Sequence, residues 1–400
     1  MAAQRWMRWL AGAGVMAGAV VALGAGGNSA TQAGAARGMP VFPIGVWLQS
    51  PANAEKYKAL GINVYVGLWQ GPTAEQLEAS QKAGMPVICE QNAEGLKPRW
   101  KEEIVGWMQG DEPDNAQASA GGKGYGPPIT PAEVETEYRR MKEADPSRPV
   151  LLNLGQGVAW DGWYGRGVRT NKPEDYPEYV KGGDIVSFDI YPVVSTDAAV
   201  TGKLELVGKG VERLVEWTGH QKPVWACLEC THISNAERKP TPEQVETEAW
   251  LAITHGATGL VYFAHQFKPR FVEAGLLEDK EMCAAVERIN ARIERCGEVL
   301  VRGEAAAVSV ETAGPDGKRV GEAAEGISAL AKKMGPDVYV FAVNGGGEEM
   351  RATFRVGGVG PATKLSDMDG RAVEMKDGAW ADDFKAGDVH VYRVAQAARP

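Results

Sequence analysis

Residues 106 to 115 read GWMQGDEPDN, an apolar run that ends on Asp111 and Glu112, a proline and a further acid. Another acid, Glu229, closes a second apolar run, PVWACLE. Carboxyls at the ends of separate apolar segments suit chemistry in which one group holds its proton while the other has lost it, so their surroundings must split their pKa values. Asp111 beside Glu112 helps, because a neighbouring negative charge raises a carboxyl's pKa. Similar run-end positions hold Trp47 and Gln49, Trp69 and Gln70, Glu90 and Gln91, Asn153, Asp189 and Tyr191, His232, and His265 with Gln266. Acids, amides and indoles together suit a sugar: amides and acids meet hydroxyls, and aromatic faces stack on pyranose rings. Trp160 and Trp163, in the Gly-rich GVAWDGWYGRG, are further candidates for that stacking. Glu90 and Asp189 are the acids in reserve, should Glu112 or Glu229 only cap a helix or pair with an arginine.

The elements that must position these residues are β-rich runs over 42–48, 62–69, 86–90, 104–110, 149–155, 184–191, 223–229 and 258–264. Between them stand helix signals: SPANAEKYKALG, TAEQLEASQKAG with a Thr73-x-x-Gln76 box, TPAEVETEYRRMKEA with Pro131 in the first turn, and TPEQVETEAWLAITHG capped by Thr241. Helices after the third and fifth runs are less distinct. Eight strands alternating with helices predict a closed (β/α)8 barrel over residues 40–298. The alternative, an open doubly wound sheet, lacks its Gly-rich fingerprint after the first strand, where VWLQSPANAEK stands. In the sixth run Val186, Phe188 and Ile190 alternate with Ser187, Asp189 and Tyr191, which directs the polar set inward near the barrel top. Barrel sites lie at the carboxyl ends of the strands, where the residues above collect.

From about residue 299 to 397 the texture becomes antiparallel: AAAVSV, ISALAKKM, DVYVFAVN, MRATFRV, RAVEMKD and DVHVYRV separated by turn residues. A β-sandwich that covers one side of the barrel is expected. Residues 1–35, with Arg5 and Arg8 before a run of Ala, Gly, Val and Leu and an A-x-A site at 33–35, read as a signal peptide. That predicts a secreted or periplasmic protein with no membrane segment after cleavage, and a monomer. The formal charge of −9 argues against nucleic acid as a partner. The five cysteines are expected to be buried apolar groups rather than metal ligands.

With an acid ending the fourth strand, in GDEP, and another ending the seventh, in PVWACLE, the chain resembles clan A of the glycoside hydrolases. The resemblance covers about residues 41 to 297. It implies a retaining glycosidase on a (β/α)8 barrel, with Glu112 as acid/base, Glu229 as nucleophile and Tyr191 hydrogen-bonded to that nucleophile. Asp111 stands where the clan usually carries an asparagine that binds the 2-hydroxyl, and Phe263 and His265 stand where a tryptophan often floors the subsite. The expectation is hydrolysis of a β-linked poly- or oligosaccharide by double displacement, which requires no cofactor and no metal. Retention needs carboxyls about 5 to 5.5 Å apart, inversion roughly 6.5 to 9.5 Å. Two rivals are a barrel that binds carbohydrate without cleaving it, and a metal-dependent hydrolase. The second finds no H-x-H after the first strand, no H-E-x-x-H, and only five scattered histidines.

Overall fold

The structure, a computed structural model, describes residues 38–119, 124–313, 319–322, 326–357 and 364–395. The expected signal peptide lies outside them. Eight strands, β1 (Ile44–Trp47), β2 (Val64–Val66), β3 (Val87–Glu90), β4 (Ile104–Met108), β5 (Val150–Leu154), β6 (Ile185–Asp189), β7 (Val224–Glu229) and β8 (Gly259–Phe263), close into a parallel barrel. Closure is made by β8 pairing back on β1, with Ile44 opposite Leu260. The two-residue period divides each strand between two cores. Val64, Val66, Ile88, Leu151, Ile185, Trp225 and Val261 fill the inside, while Val46, Leu152, Val186, Phe188, Leu228 and Leu260 pack outward under the helices.

The helices are α1 (Ala54–Ala59), α2 (Ala74–Ala83), α3 (Pro131–Ala144), α4 (Tyr176–Tyr179), α5 (Glu205–Trp217), α6 (Pro242–Thr254), α7 (Gly275–Glu278) and α8 (Lys280–Arg302). Thr73, Thr130 and Thr241 each form a reciprocal capping box with Gln76, Glu133 and Gln244, which is why α2, α3 and α6 begin where their sequences signal. Ser50 caps a single 3-10 turn, Pro51–Asn53, ahead of α1. After β3 the chain makes one more 3-10 turn, Pro98–Trp100, and the buried Trp100 donates its indole N–H to Glu94 (2.9 Å). After β5 there are 3-10 turns and the short α4. The sequence signals do not mark α5, whose first turn has no side-chain cap; Leu206, Val207, Val211 and Leu214 bury one face of it.

Past the barrel, α8 continues beyond the expected boundary at 298 to Arg302. Two antiparallel sheets follow. One has the order β11 (Arg319–Glu322), β10 (Val308–Ala313), β14 (Met350–Val356), β16 (Ala379–Phe384). The other runs β15 (Lys364–Asp367), β17 (Val389–Ala395), β13 (Asp337–Asn344), β12 (Ile327–Met334), β9 (Glu304–Ala306). RAVEMKD, expected as a strand, is a loop: the Arg371 amide goes to Asp367 and the Lys376 amide to Ala379, so local turns use the groups a ladder needs. Strand β13 serves two interiors. Val338, Val340 and Ala342 face the sandwich core, while Phe341 and Val343 face the barrel helices, where Phe341 stacks on Trp250 of α6 (5.9 Å between ring centres). All five cysteines are free, four of them buried.

Candidate active site

At the carboxyl ends of β4, β5 and β6 three carboxyls meet. Asp111 and Glu112 follow β4, and Asp189 ends β6. The backbone turns sharply to place Glu112, whose φ is 44°, in the left-handed region that non-glycine residues seldom adopt. Three bonds hold it there: its amide donates to Asn153 O (3.1 Å), and its carbonyl accepts from Asn115 N (3.1 Å) and Gln117 Nε2 (3.2 Å). Asn153, inward on β5, donates Nδ2 to Asp111 Oδ1 (2.9 Å) and accepts from Ser187 Oγ (2.7 Å).

Among the described residues no cation is paired with these carboxyls, and burial governs their ionisation. It pushes Glu112 well above the ordinary range, helped by the charges of Asp189 and Asp111 and by a hydrogen bond to Asp189. Burial also raises Asp111, to about 7, aided by the charge of Asp189. Asp189 rises less, to about 6, because the hydrogen bond from Glu112 favours its charged form. The balance favours the proton on Glu112 and the charge on Asp189. Asp189 Oδ1 and the Tyr191 hydroxyl are buried without a partner in full hydrogen-bond geometry, and the Tyr191 hydroxyl, turned toward Asp189, also favours the charged form of that acid.

Around these acids lies a cavity of about 180 Å³. Trp160, Trp163 and Tyr164 make one wall, with Trp163 and Tyr164 ring centres 4.6 Å apart, and Trp47, Tyr191, Phe263 and Phe267 make another. Ser195, Thr196, Asp197, Ile233 and Ser234 form the rim on the β6 and β7 side, where Lys268 also stands.

The loops after β4 and β5 are locked together behind the aromatic wall. The buried Asp114 accepts from Gly155 N (2.9 Å) and the Tyr176 hydroxyl (2.8 Å), and Asn115 Oδ1 accepts from Trp163 Nε1 (2.8 Å). Arg166, 1% exposed, lies 4.6 Å over the Tyr176 ring and donates to Lys172 O and Asp175.

Of the residues expected from the sequence, the cleft brings together Asp111, Glu112, Trp47, Asn153, Trp160, Trp163, Asp189 and Tyr191. Glu229 is not among them. Strand alternation would send it inward with Trp225 and Cys227, yet it is 0% exposed and both its oxygens are taken by loop amides, Val193 N (2.6 Å) and Val194 N (2.9 Å). Tyr191 therefore does not bond Glu229; its ring rests on Phe263 (5.3 Å) beside Asp189.

Trp69 is 42% exposed and lies outside the cleft, as does Glu90. His232 points its Nδ1 at Asn235 O (3.0 Å) and so closes its own loop, while its carbonyl accepts from the Phe267 and Lys268 amides. His265 is buried against Gln49 and stacked on Phe267, and burial pulls its pKa down to about 4, so it is neutral.

The sequence reading did not single out Asn115, Gln156, Tyr164, Ser195–Asp197, Ile233, Ser234, Phe267 or Lys268. Asn115 and Tyr164 lie within the quoted motifs, and the loop after β6 sits where barrel sites are built; nothing in the sequence marks Lys268.

Among the described residues no three His, Cys, Asp or Glu side chains come together as a metal-binding group, and no helix is long and apolar enough to cross a membrane.

The glycoside hydrolase 42 family, described as beta-galactosidase, matches residues 131–284, from the start of α3 into α8. The stretch holds Asp189, Tyr191 and Glu229 but not Asp111 and Glu112. A search of curated proteins finds no match. The alpha-amylase of Geobacillus thermoleovorans, solved with acarbose, is similar in fold at TM-score 0.54 and 10% identity, over 90% of this chain and 100% of that one. An Anoxybacillus alpha-amylase is similar at TM-score 0.51 and 10% identity, over 88% and 90%. These two likenesses concern the fold. The resemblance to clan A glycoside hydrolases stands on the barrel and the family match together.

Proposed function

We propose that the protein is an exported glycosidase that cleaves a β-linked poly- or oligosaccharide in this cleft, with Glu112 as proton donor and Asp189 as the carboxylate opposed to it. The observation that carries the reading is the meeting of Glu112 and Asp189 at the base of an aromatic-walled cavity, where burial favours the proton on the first and the charge on the second. Glycosidic cleavage needs that division of labour. Glu112 gives its proton to the leaving oxygen, and Asp189 stabilises or captures the sugar cation.

With the carboxyls in contact, double displacement with retention requires a bound sugar to part the pair to about 5 to 5.5 Å, less than the opening that inversion needs for its water. In the second half-reaction Glu112, now ionised, takes a proton from water. The cavity, about 180 Å³ and below the roughly 300 to 1,000 Å³ of drug-sized sites, suits one sugar ring with the rest of the chain outside.

The second reading keeps Glu229 as nucleophile, favoured by its place at the end of β7 within the matched stretch. It requires the carboxylate to leave two amides. A reducing-sugar screen against β- and α-linked glycans, with Glu112→Gln, Asp189→Asn and Glu229→Gln in parallel, separates these readings. Activity lost in Glu112→Gln and Asp189→Asn, with a retained anomer by NMR, is the expected result. Azide rescue of Glu229→Gln would return the nucleophile to Glu229. Binding without cleavage across the panel would make the protein a carbohydrate-binding barrel.

A further inference from the structure

Below the β6 side of the cleft lies a second pair of carboxyls that the proposed chemistry does not use. Glu229 ends β7 and Glu248 sits on α6, and both are 0% exposed. Glu229 spends one oxygen on each of two successive amides, Val193 N (2.6 Å) and Val194 N (2.9 Å). Neither oxygen of Glu248 has a partner in full hydrogen-bond geometry, and what it faces is Glu229, by its carboxylate and by its backbone N–H.

Two adjoining buried carboxyls cannot both be charged without strong repulsion. The two amide donors favour charge on Glu229, so the proton resides on Glu248, which donates it to Glu229. The other ionisable groups near the pair are Arg238, which faces Glu229, and Cys230, which adjoins both carboxyls and itself faces Asp279 and Cys283.

The segment so gripped is the wall of the cleft. Val194 O accepts from Ser234 Oγ (2.8 Å), Ser195 O accepts from Arg238 Nη2 (2.9 Å), and Ser195 N donates to Tyr191 O (3.1 Å). Ser195, Thr196, Asp197 and Ser234 all line the cavity. We propose that Glu229 and Glu248 form a proton-sharing clamp that seats residues 192–197 against the cleft, so that Glu229 is a positioning residue rather than the attacking one. The consequence for catalysis rests on the glycosidase reading; the clamp itself does not.

Hydrogen exchange by mass spectrometry on the full mature chain tests the clamp without reference to activity. In Glu229→Gln one arm of the side chain becomes an NH2 facing an N–H, so peptides covering 192–197 should lose at least roughly tenfold of their protection, the scale of one lost hydrogen bond of about 1.4 kcal/mol. Glu248→Gln offers a permanent N–H to Glu229 and should keep that protection. Kinetics supply the second readout. Glu229→Gln should raise KM far more than it lowers kcat, with no response to azide. In the wild type KM should climb at alkaline pH as Glu248 gives up its proton, and in Glu248→Gln it should stay flat.

Unchanged exchange at 192–197 in Glu229→Gln, or a wild-type KM–pH profile in Glu248→Gln, would overturn the clamp. So would a kcat loss of about a thousandfold in Glu229→Gln that azide restores. If Glu229→Gln does not fold, the Glu248→Gln profile decides alone. Wild-type silence on every glycan, with the exchange behaviour as described, would refute the glycosidase reading and leave the clamp standing.

Discussion

Glu112 is held in a backbone conformation with φ 44° by bonds to Asn153, Asn115 and Gln117, so its position does not depend on its own carboxyl. Replacing it with glutamine should therefore remove the proton donor without disturbing the fold. We expect kcat/KM to fall by about 10²- to 10⁴-fold with the melting temperature nearly unchanged, measured by glycan hydrolysis and calorimetry.

The pH profile gives an independent test. Activity should rise as Asp189 ionises near pH 6 and fall at alkaline pH as Glu112 loses its proton. In Asp189→Asn any residual activity should lose its alkaline limb at a lower pH, because a neighbouring negative charge that held the Glu112 proton is gone.

Asp111, Glu112, Asn153, Asp189 and Tyr191 were legible in the sequence because each ends or follows a strand whose alternation gives its direction. The burial of Glu229 was not legible. Its partners are two amides in a loop more than thirty residues away, and an amide is the same for every residue type.

At the scale of elements, the sequence speaks most clearly where a side chain closes a local bond. Three Thr-x-x-Gln/Glu boxes mark the starts of α2, α3 and α6. Helix α5 begins at Glu205 with no such bond and is held by packing and by Arg213, which bonds Val158 O and Asp161, none of which a short motif records. The turn Pro98–Trp100 stands where a helix would be expected, its tryptophan buried. RAVEMKD alternates like a strand, but Arg371 is engaged by Asp367 and Asp382 from elsewhere in the sandwich. A capping box contributes a measurable amount, so Thr130→Ala should destabilise the protein by about 1 kcal/mol in denaturant unfolding. Thr136, on the same helix but exposed, should tolerate alanine with little change.

For the whole molecule, the buried acids set the dependence of stability on pH. Burial raises Asp111 and Glu229 to about 7 and Asp189 to about 6, and lifts Glu112 and Glu248 further. The native chain thus holds protons that the unfolded chain releases at lower pH. Its stability is fully present below the unfolded pKa values of about 4 and declines as pH rises through 6 and 7. Carboxylates held down near 2, such as the one on Asp145, act oppositely in strong acid. Urea unfolding should show a maximum at mildly acidic pH and a loss toward pH 8; a maximum at pH 8 would contradict the burial of these groups.

The sandwich is part of the same balance. Phe341, Val343, Val389 and Val391 belong to the barrel's outer core, so a chain ending at Arg302 should expose that face and associate or precipitate on expression. The two-unit division was legible from texture, but the shared interior was not, since β13 is apolar on both faces for two different neighbours.

The bonds to Asp114 and Asn115, among them Arg166 Nε to Asp114 O (3.4 Å), make the loops after β4 and β5 one body, with Tyr179 adding a further tie to Ile129 O (2.6 Å). For anyone wishing to retarget this barrel, that dictates the unit of exchange. Grafting the β5 loop alone from another protein leaves Asp114 buried without Tyr176, and grafting the β4 loop alone leaves Tyr176 and Trp163 without Asp114 and Asn115, whereas transplanting both together carries the whole lock across.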